Sequence, residues 1–360
     1  MQFDKGRDFE QTREVLEQWL RQRLDLERAT VGDLVLPDRA GLSNETVLFA
    51  AELEGGTTTT TEELALRISP APEFQVCRDP MFEKQARLLQ VLHEQGLPVP
   101  QLRWFDDDPQ WFDRPFFVMD RARGRVPISE PIYNAEGWLH DASPEQQRTA
   151  WESAVQELVR INQVSPDLVR FLPGGTSGFL EVLDEIRHEY AWACAGIAHP
   201  IVDRLWAWLD ANIPSDPPLG LSWGDARVGN VMFDDDFRVV VVMDWELSSL
   251  GTPIMDLGWW LFFDDVHSEV HPRLPGLGNR QETIERWERG TGLSADGVEW
   301  YEILAAVRLA TLVIRSMNLM GIESNDWGVF VRLAYERLGW SAREARTPTP
   351  RRSGAGASYH

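Results

Sequence analysis

The sequence predicts an α+β fold in two unequal parts, a small antiparallel sheet followed by a mostly helical body. Three observations carry that expectation. Before Gly124 the chain alternates short β-rich runs with turn residues, and beyond it the apolar residues recur at helical spacing. Inside the helical half, one apolar hairpin between Leu221 and Leu261 gathers acidic and amide side chains at its end. The boundary is placed near Arg125, giving a first lobe of 1–124, a second of 125–345 and a tail of 346–360.

Each element has its own signal. Val15, Leu16, Trp19, Leu20 and Leu24 mark an amphipathic helix over Phe9–Leu26. A turn at Ala40–Asn44 leads into a strand reaching Ala50, Gly55 to Thr61 make a hairpin tip, and Leu64–Ile68 returns as the next strand. Phe82, Ala86, Leu89 and Leu92 share one face of a helix from Pro80 to Gln95, which Leu97-Pro98-Val99-Pro100 breaks. Strands follow at Leu102–Phe105 and Pro115–Asp120, with Asp106–Pro109 as the turn between them. In the second part, Ser143-Pro144-Glu145 is a start signal for a helix through Trp151, Val155 and Leu158. Helices are expected over 180–197, 199–213, 297–319 and 326–338, with a solvated loop after Phe263 that carries His267, His271 and Pro272. From Arg346 onward the Thr, Pro, Gly and Ser-rich composition reads as disordered.

Composition narrows the function. The 360 residues carry 57 acidic and 35 basic side chains, a formal charge of −22 that argues against a nucleic-acid partner. The two cysteines, Cys77 and Cys194, are too few for a disulfide framework and fit a reducing cytoplasm. The first residues lack the apolar core of a secretory signal, and no run approaches a membrane span. A cytoplasmic protein without a membrane partner is expected; oligomeric state is left open.

The chemistry concentrates between Leu221 and Leu261. Val228–Phe233 and Arg238–Met243 read as two strands joined by the turn Asp234-Asp235-Asp236, which folds Asp225, Asn230 and Asp244 toward one end of the pair. Two carboxylates and an amide brought together in this way suit a hard, oxygen-seeking cation and a hydroxyl that must lose its proton, the requirements of phosphoryl transfer. Each residue alone also reads as a turn or cap residue, with Asp244 capping a helix from Trp245.

The combined pattern is more specific. Gly224-Asp225-x4-Asn230, a hairpin, Asp244-Trp245-Glu246 and then Pro253-x2-Asp256-Leu257 resemble the signature of the aminoglycoside phosphotransferase and choline kinase-like superfamily. The wording Trp223-Gly224-Asp225-Ala226-Arg227-Val228-Gly229-Asn230 is similar to the branch found as a kinase-like domain fused to some acyl-CoA dehydrogenases. The resemblance implies a bilobal protein kinase-like fold, ATP and Mg2+ as cofactors, and transfer of the γ-phosphoryl group to a hydroxyl of a small molecule. It makes Asp225 the catalytic aspartate and Asn230 and Asp244 the metal ligands. On the nucleotide side it implies Gly41, Ser43 and Asn44 over the phosphates, Arg67 as the strand cation with Gln85 or Glu83 as its partner, and the backbone of Met119 to Arg121 at the adenine edge. Three positions depart from the commoner pattern: Trp223 stands where most relatives have His, Arg67 where many have Lys, and Gln85 where a Glu is expected.

For the acceptor, Arg227, Trp245, Glu246, Trp259 and Trp260 are the candidate contacts, with Tyr133 and Trp138 approaching. An aromatic lining fits a hydrophobic alcohol better than a polycationic sugar, and the resemblance points to a hydroxyacyl thioester; the same tryptophans also read as core. Two rival functions use the same residues, a catalytically impaired nucleotide-binding protein and a metal-dependent hydrolase.

Overall fold

In the computed structural model, residues 8–37, 45–129, 132–322 and 328–341 are described. The expected mixed α+β organisation is what the chain adopts. Helix α1 (Phe9–Leu24) starts at Asp8, whose carboxylate accepts the amides of Glu10 and Gln11, and it buries Leu16, Trp19 and Leu20. Five antiparallel strands follow the order β1-β2-β3-β5-β4, with β1 (Arg28–Val31), β2 (Glu45–Gly55), β3 (Thr58–Ile68), β4 (Leu102–Asp106) and β5 (Phe116–Asp120). A single turn of helix, α3 (Pro109–Phe112), connects β4 to β5.

Strand alternation divides the sheet into two faces. Val47, Phe49, Leu64, Leu66, Ile68, Phe116 and Val118 form a core with Leu16, Trp19 and Leu20 of α1. Arg67 therefore falls on the opposite face, paired across the ladder with Phe117. On that face lies α2 (Phe82–Glu94), whose Phe82 packs 4.9 Å from the Phe117 ring. The buried side of α2 joins the larger core of the helical part, so sheet and helices share apolar contacts.

The helical part comprises α4 (Pro144–Asn162), α5 (Phe179–Cys194), α6 (Pro200–Ala211), α7 (Ile254–Val270), α8 (Arg280–Thr291), α9 (Val298–Leu319) and α10 (Gly328–Arg337). Ser143 and Gln146 close a capping box on α4, as the start signal predicts. Between α6 and α7 lie two short antiparallel ladders, β6 (Gly220–Ser222) with β9 (Ser249–Gly251), and the hairpin β7 (Val231–Phe233) with β8 (Val239–Val242). Among the described residues no helix is long and apolar enough to cross a membrane.

The structure corrects the expected outline at three places. Val228–Asn230 is a 3-10 turn, so the hairpin's first strand begins only at Val231. No helix starts at Trp245; Asp244 instead takes a left-handed conformation, φ 64°, ahead of a turn. The segment after Phe263 is not a solvated loop, because α7 runs on to Val270. Trp259, Phe263 and His267 stack one turn apart, and Asp264 and Asp265 pair with Arg273 and Arg337. Polar residues that look solvated in the sequence are thus neutralised by arginines from later in the chain. Gly41, Ser43, Asn44 and the tail from Arg346 lie outside the described residues.

Candidate active site

The loop between β6 and β7 is held from beneath by one carboxylate. Asp256, in the first turn of α7 and without solvent exposure, accepts from the Ser222 hydroxyl (2.7 Å), the amides of Trp223 (2.7 Å) and Gly224 (2.9 Å), and Asn162 Nδ2 (2.7 Å). Burial pushes its carboxyl above the usual range, while these four donors favour the charged form. Gly224 allows the loop to turn here: its φ is 96°, and an added Cβ would lie 2.2 Å from the Leu247 carbonyl oxygen.

Asp225 emerges from this turn with three donors on its carboxylate. Asn230 Nδ2 donates to Oδ2 at 2.6 Å, Trp259 Nε1 to Oδ1 at 2.8 Å and Arg227 Nε to Oδ1 at 3.1 Å. Asn230 Nδ2 also reaches the Asp225 carbonyl at 3.0 Å, and Asn230's own carbonyl accepts the Met243 amide at 2.9 Å. The hairpin thereby brings Asp244 next to Asp225. Trp223 adds a second tie, its indole donating to the carbonyls of Met243 (2.8 Å) and Asp244 (3.1 Å). The aromatic in this position therefore scaffolds the loop by a hydrogen bond as well as by bulk.

Charge around the pair is balanced from two sides. Burial, then the Asp225 charge, raises the Asp244 carboxyl, while Arg67 and Arg227 oppose the rise. Although burial disfavours its charge, the Arg227 guanidinium is held above its ordinary value by Asp225 and Asp244. Among the described residues no group of three or more His, Cys, Asp or Glu gathers to hold a metal. The side chains around Asp225 supply hard oxygens: the Asp244 carboxylate, whose charge Asp225 feels, and the Asn230 side-chain carbonyl, which stays available because Nδ2 is spent on Asp225. That set fits magnesium, which takes one or two carboxylates and completes its shell with water and phosphate.

The remaining candidates take distinct places. Arg67 lies over the Phe117 ring at 5.8 Å, and its buried Nε has no hydrogen-bond partner. Gln85 donates to the Pro80 carbonyl at 2.6 Å, its Oε1 is unpartnered, and Glu83 is exposed, so neither forms a bond to Arg67. Met119 sits between Ala65 and Leu102 in the ladder, and the Arg121 amide donates to the Glu63 carbonyl at 3.0 Å. Trp245 and Trp260 are 2% and 4% exposed and pack in the core, with the Trp245 indole on the Val242 carbonyl at 3.2 Å. Trp138 packs between the rings of Phe233 and Phe237 beneath Arg125. Glu246 lines a cavity of about 110 Å³ between α5 and α9.

Trp259, 2% exposed like Trp245, and Arg227 pack into an aromatic corner. Arg227 covers the Phe263 ring at 5.3 Å, Phe263 packs on Trp259 and His267, and Tyr133 meets His267 through its hydroxyl, 3.2 Å from Nδ1. Burial, and secondarily the Arg227 charge, lowers the His267 pKa to about 4. The folded value lies below the ordinary 6.5, so as pH falls the unfolded chain protonates first, and stability present above that value is lost toward pH 4. Relative to the wild type, His267→Gln should gain on the order of 2–3 kcal/mol between about pH 7 and pH 4, read from denaturant unfolding. Asp264, pushed up to about 6 by burial, acts with the opposite sign but in both proteins. A constant difference between the two proteins across that range would exclude a buried neutral His267.

In the sequence Asp256 stands in the pattern without an evident task. Its signal was available, an acidic residue in the first turn of a strongly apolar helix, but its partners span Asn162 to Gly224 and are visible only in the fold.

The sequence pattern described as the phosphotransferase enzyme family matches residues 34–289. Human acyl-CoA dehydrogenase family member 11 is 22% identical over 307 residues, covering 79% of this chain and 38% of the human protein. Mouse acyl-CoA dehydrogenase family member 10 is 27% identical over 185 residues, 49% of this chain and 16% of that protein. The chain thus spans less than two fifths of the length of these curated relatives. Among solved structures, a "putative aminoglycoside phosphotransferase" from Ralstonia eutropha is similar at TM-score 0.63 and 22% identity, covering 92% of this chain and 95% of the other. A thermostable mutant of aminoglycoside phosphotransferase APH(4)-Ia, in ternary complex with AMP-PNP and hygromycin B, is similar at TM-score 0.52 and 18% identity, covering 95% and 99%. These structures share the two-part kinase-like fold.

Proposed function

From the premise that this chain belongs to the phosphotransferase enzyme family, matched over residues 34–289, we propose that it moves the γ-phosphoryl group of ATP to a hydroxyl of a small, hydrophobic molecule. One observation carries the reading: Asp225 is fixed by three donors beside Asn230 and Asp244, the arrangement a positioned base and a metal-phosphate site require. The acceptor oxygen attacks the γ-phosphorus and forms the new P–O bond. The bond to the bridging oxygen breaks, ADP leaves, and the hydroxyl proton passes to Asp225.

Asp225 orients the acceptor, and the hydrogen bonds from Asn230 and Trp259 fix its carboxylate. Arg227, on the same carboxylate, supplies positive charge where the transferring group becomes more negative. Asp244 and the Asn230 carbonyl would hold magnesium, which when bound shields the β- and γ-phosphates. Arg67 faces Asp244 from the sheet and offsets phosphate charge. Gly41, Ser43 and Asn44 are proposed to cover the phosphates, and the connection from Met119 to Arg121 to meet the adenine.

For the acceptor, a hydroxyacyl thioester is favoured over an aminoglycoside. Support comes from relatives named as acyl-CoA dehydrogenase family members and from the aromatic corner of Trp259, Phe263 and Tyr133 beside Asp225. A second reading, an impaired nucleotide-binding protein, draws on the missing Arg67–Gln85 bond. Thermal unfolding with Mg-ATP tests both. At about 100 times its Kd the nucleotide should add about 2.7 kcal/mol, lost in Asp244→Ala. No shift at millimolar ATP or GTP would sink the kinase reading, while a shift without turnover on any alcohol would favour the impaired protein.

A further inference from the structure

The Asp225 carboxylate is held by a chain of ring contacts that starts on α9. The Arg308 guanidinium lies over the Trp259 ring of α7, 5.3 Å from its centroid. Trp259 packs on Phe263 at 5.4 Å, and Arg227 lies over Phe263 at 5.3 Å. Two members of this chain donate to one and the same oxygen, Asp225 Oδ1: Trp259 through Nε1 at 2.8 Å and Arg227 through Nε at 3.1 Å. Oδ2 is held most closely by Asn230, at 2.6 Å. The orientation of the carboxylate therefore depends on where the Trp259 indole is kept.

Arg308 bears on that indole electrostatically. A cation over an aromatic face is attracted by the ring quadrupole, and more strongly where water is kept away; Trp259 is 2% exposed. Positive charge against the π-system draws electron density from the ring and makes its N–H a better donor, so the bond to a carboxylate tightens. Asp225 in turn acts on Arg308. Burial disfavours the Arg308 charge, and Cys77, Asp256, Asp225 and Glu189 oppose that effect. An unbranched apolar side chain would fill the same space without the cost of taking a charge from water. What the guanidinium adds at this place is its field on the indole.

We propose that Arg308 is a positioning residue for phosphoryl transfer, acting through the Trp259 indole to fix the Asp225 carboxylate for the acceptor hydroxyl. This rests on the phosphotransferase reading, in which Asp225 takes the hydroxyl proton as the acceptor oxygen bonds to the γ-phosphorus and ADP departs. In that reading Asp244, Asn230 and Arg67 serve the metal and the phosphates, so the effect of Arg308 belongs to turnover and not to nucleotide binding.

Heteronuclear NMR of the full chain, labelled at the tryptophan nitrogens, tests the coupling without any substrate. Trp259→Phe identifies the Trp259 indole signal by its loss. In Arg308→Met that proton signal should move upfield, as it should in Asp225→Asn, and its exchange with deuterium should quicken. Arg308→Lys should recover part of both changes, while the other indole signals report that each variant is folded. Turnover is read in parallel as ADP release from Mg-ATP with water as the acceptor. Arg308→Met should lower kcat about tenfold and leave the KM for Mg-ATP within about twofold of wild type. Arg308→Lys should restore part of kcat, and in a Trp259→Phe background Arg308→Met should cost nothing further. A Trp259 signal unmoved in Arg308→Met, a kcat equal to that of wild type, or the full loss persisting in the Trp259→Phe background would overturn the proposal. No ADP release by wild type would instead fault the phosphotransferase reading, and the indole signal would still decide whether Arg308 reaches Asp225.

Discussion

Asp225→Asn should lower the turnover number by about 10³-fold or more while leaving the Mg-ATP thermal shift within about 0.5 kcal/mol of wild type. The substitution keeps the shape of the side chain and one oxygen acceptor, so Trp259 or Asn230 can still bind it. What it removes is the negative charge that pairs with Arg227 and that, in the proposed reaction, accepts the hydroxyl proton. Steady-state kinetics with saturating nucleotide separates the two possibilities. A fall confined to KM would mean that Asp225 only holds the acceptor, and a variant as fast as wild type would remove Asp225 from the chemistry altogether.

The second large effect is structural. Asp256→Ala should destabilise the fold by on the order of 3–5 kcal/mol, because it strands four buried donors at once. Those donors are the Ser222 hydroxyl, the amides of Trp223 and Gly224, and Asn162, which in turn holds the Trp287 indole at 2.9 Å and the Leu221 carbonyl at 3.1 Å. Since Gly224 immediately precedes Asp225, turnover should fall as well, even at temperatures where the variant stays folded. Asp256→Asn keeps one acceptor oxygen but turns an amide group toward donors, so it should recover only part of the loss. A denaturant midpoint for Asp256→Ala close to wild type would show that the loop is held by other contacts.

Much of this molecule was legible from residue order. Helical spacing placed α1, α2 and α4, each starting and ending within a few residues of its observed limits, and the β-rich runs before Gly124 gave β2 to β5. The spacing of Asp225, Asn230 and Asp244 around an apolar hairpin anticipated their meeting, because a hairpin's register follows from its own turn. The Asn279 and Glu282 capping box that starts α8 is likewise written in adjacent residues. The short strands β1 and β9 carry too few residues to stand out, and each exists only because a distant partner, β2 or β6, supplies its ladder.

Composition and periodicity by themselves determined the α+β class, the net charge of −22, and the trio of oxygen donors around one hairpin. Local interactions set those features, and local interactions are written in adjacent residues. Only the tertiary structure decided that α7 continues through His267, that Trp259, buried like Trp245 and Trp260, is the tryptophan that donates to Asp225, and that Arg308 lies over that same indole. Each depends on which faces of α5, α7 and α9 meet. Close approach governs that meeting: at Gly258 an added Cβ would come within 2.7 Å of Tyr301 Cβ. A helix's periodicity states which side is buried, but the identity of the side chains it is buried against is fixed only when the whole core packs.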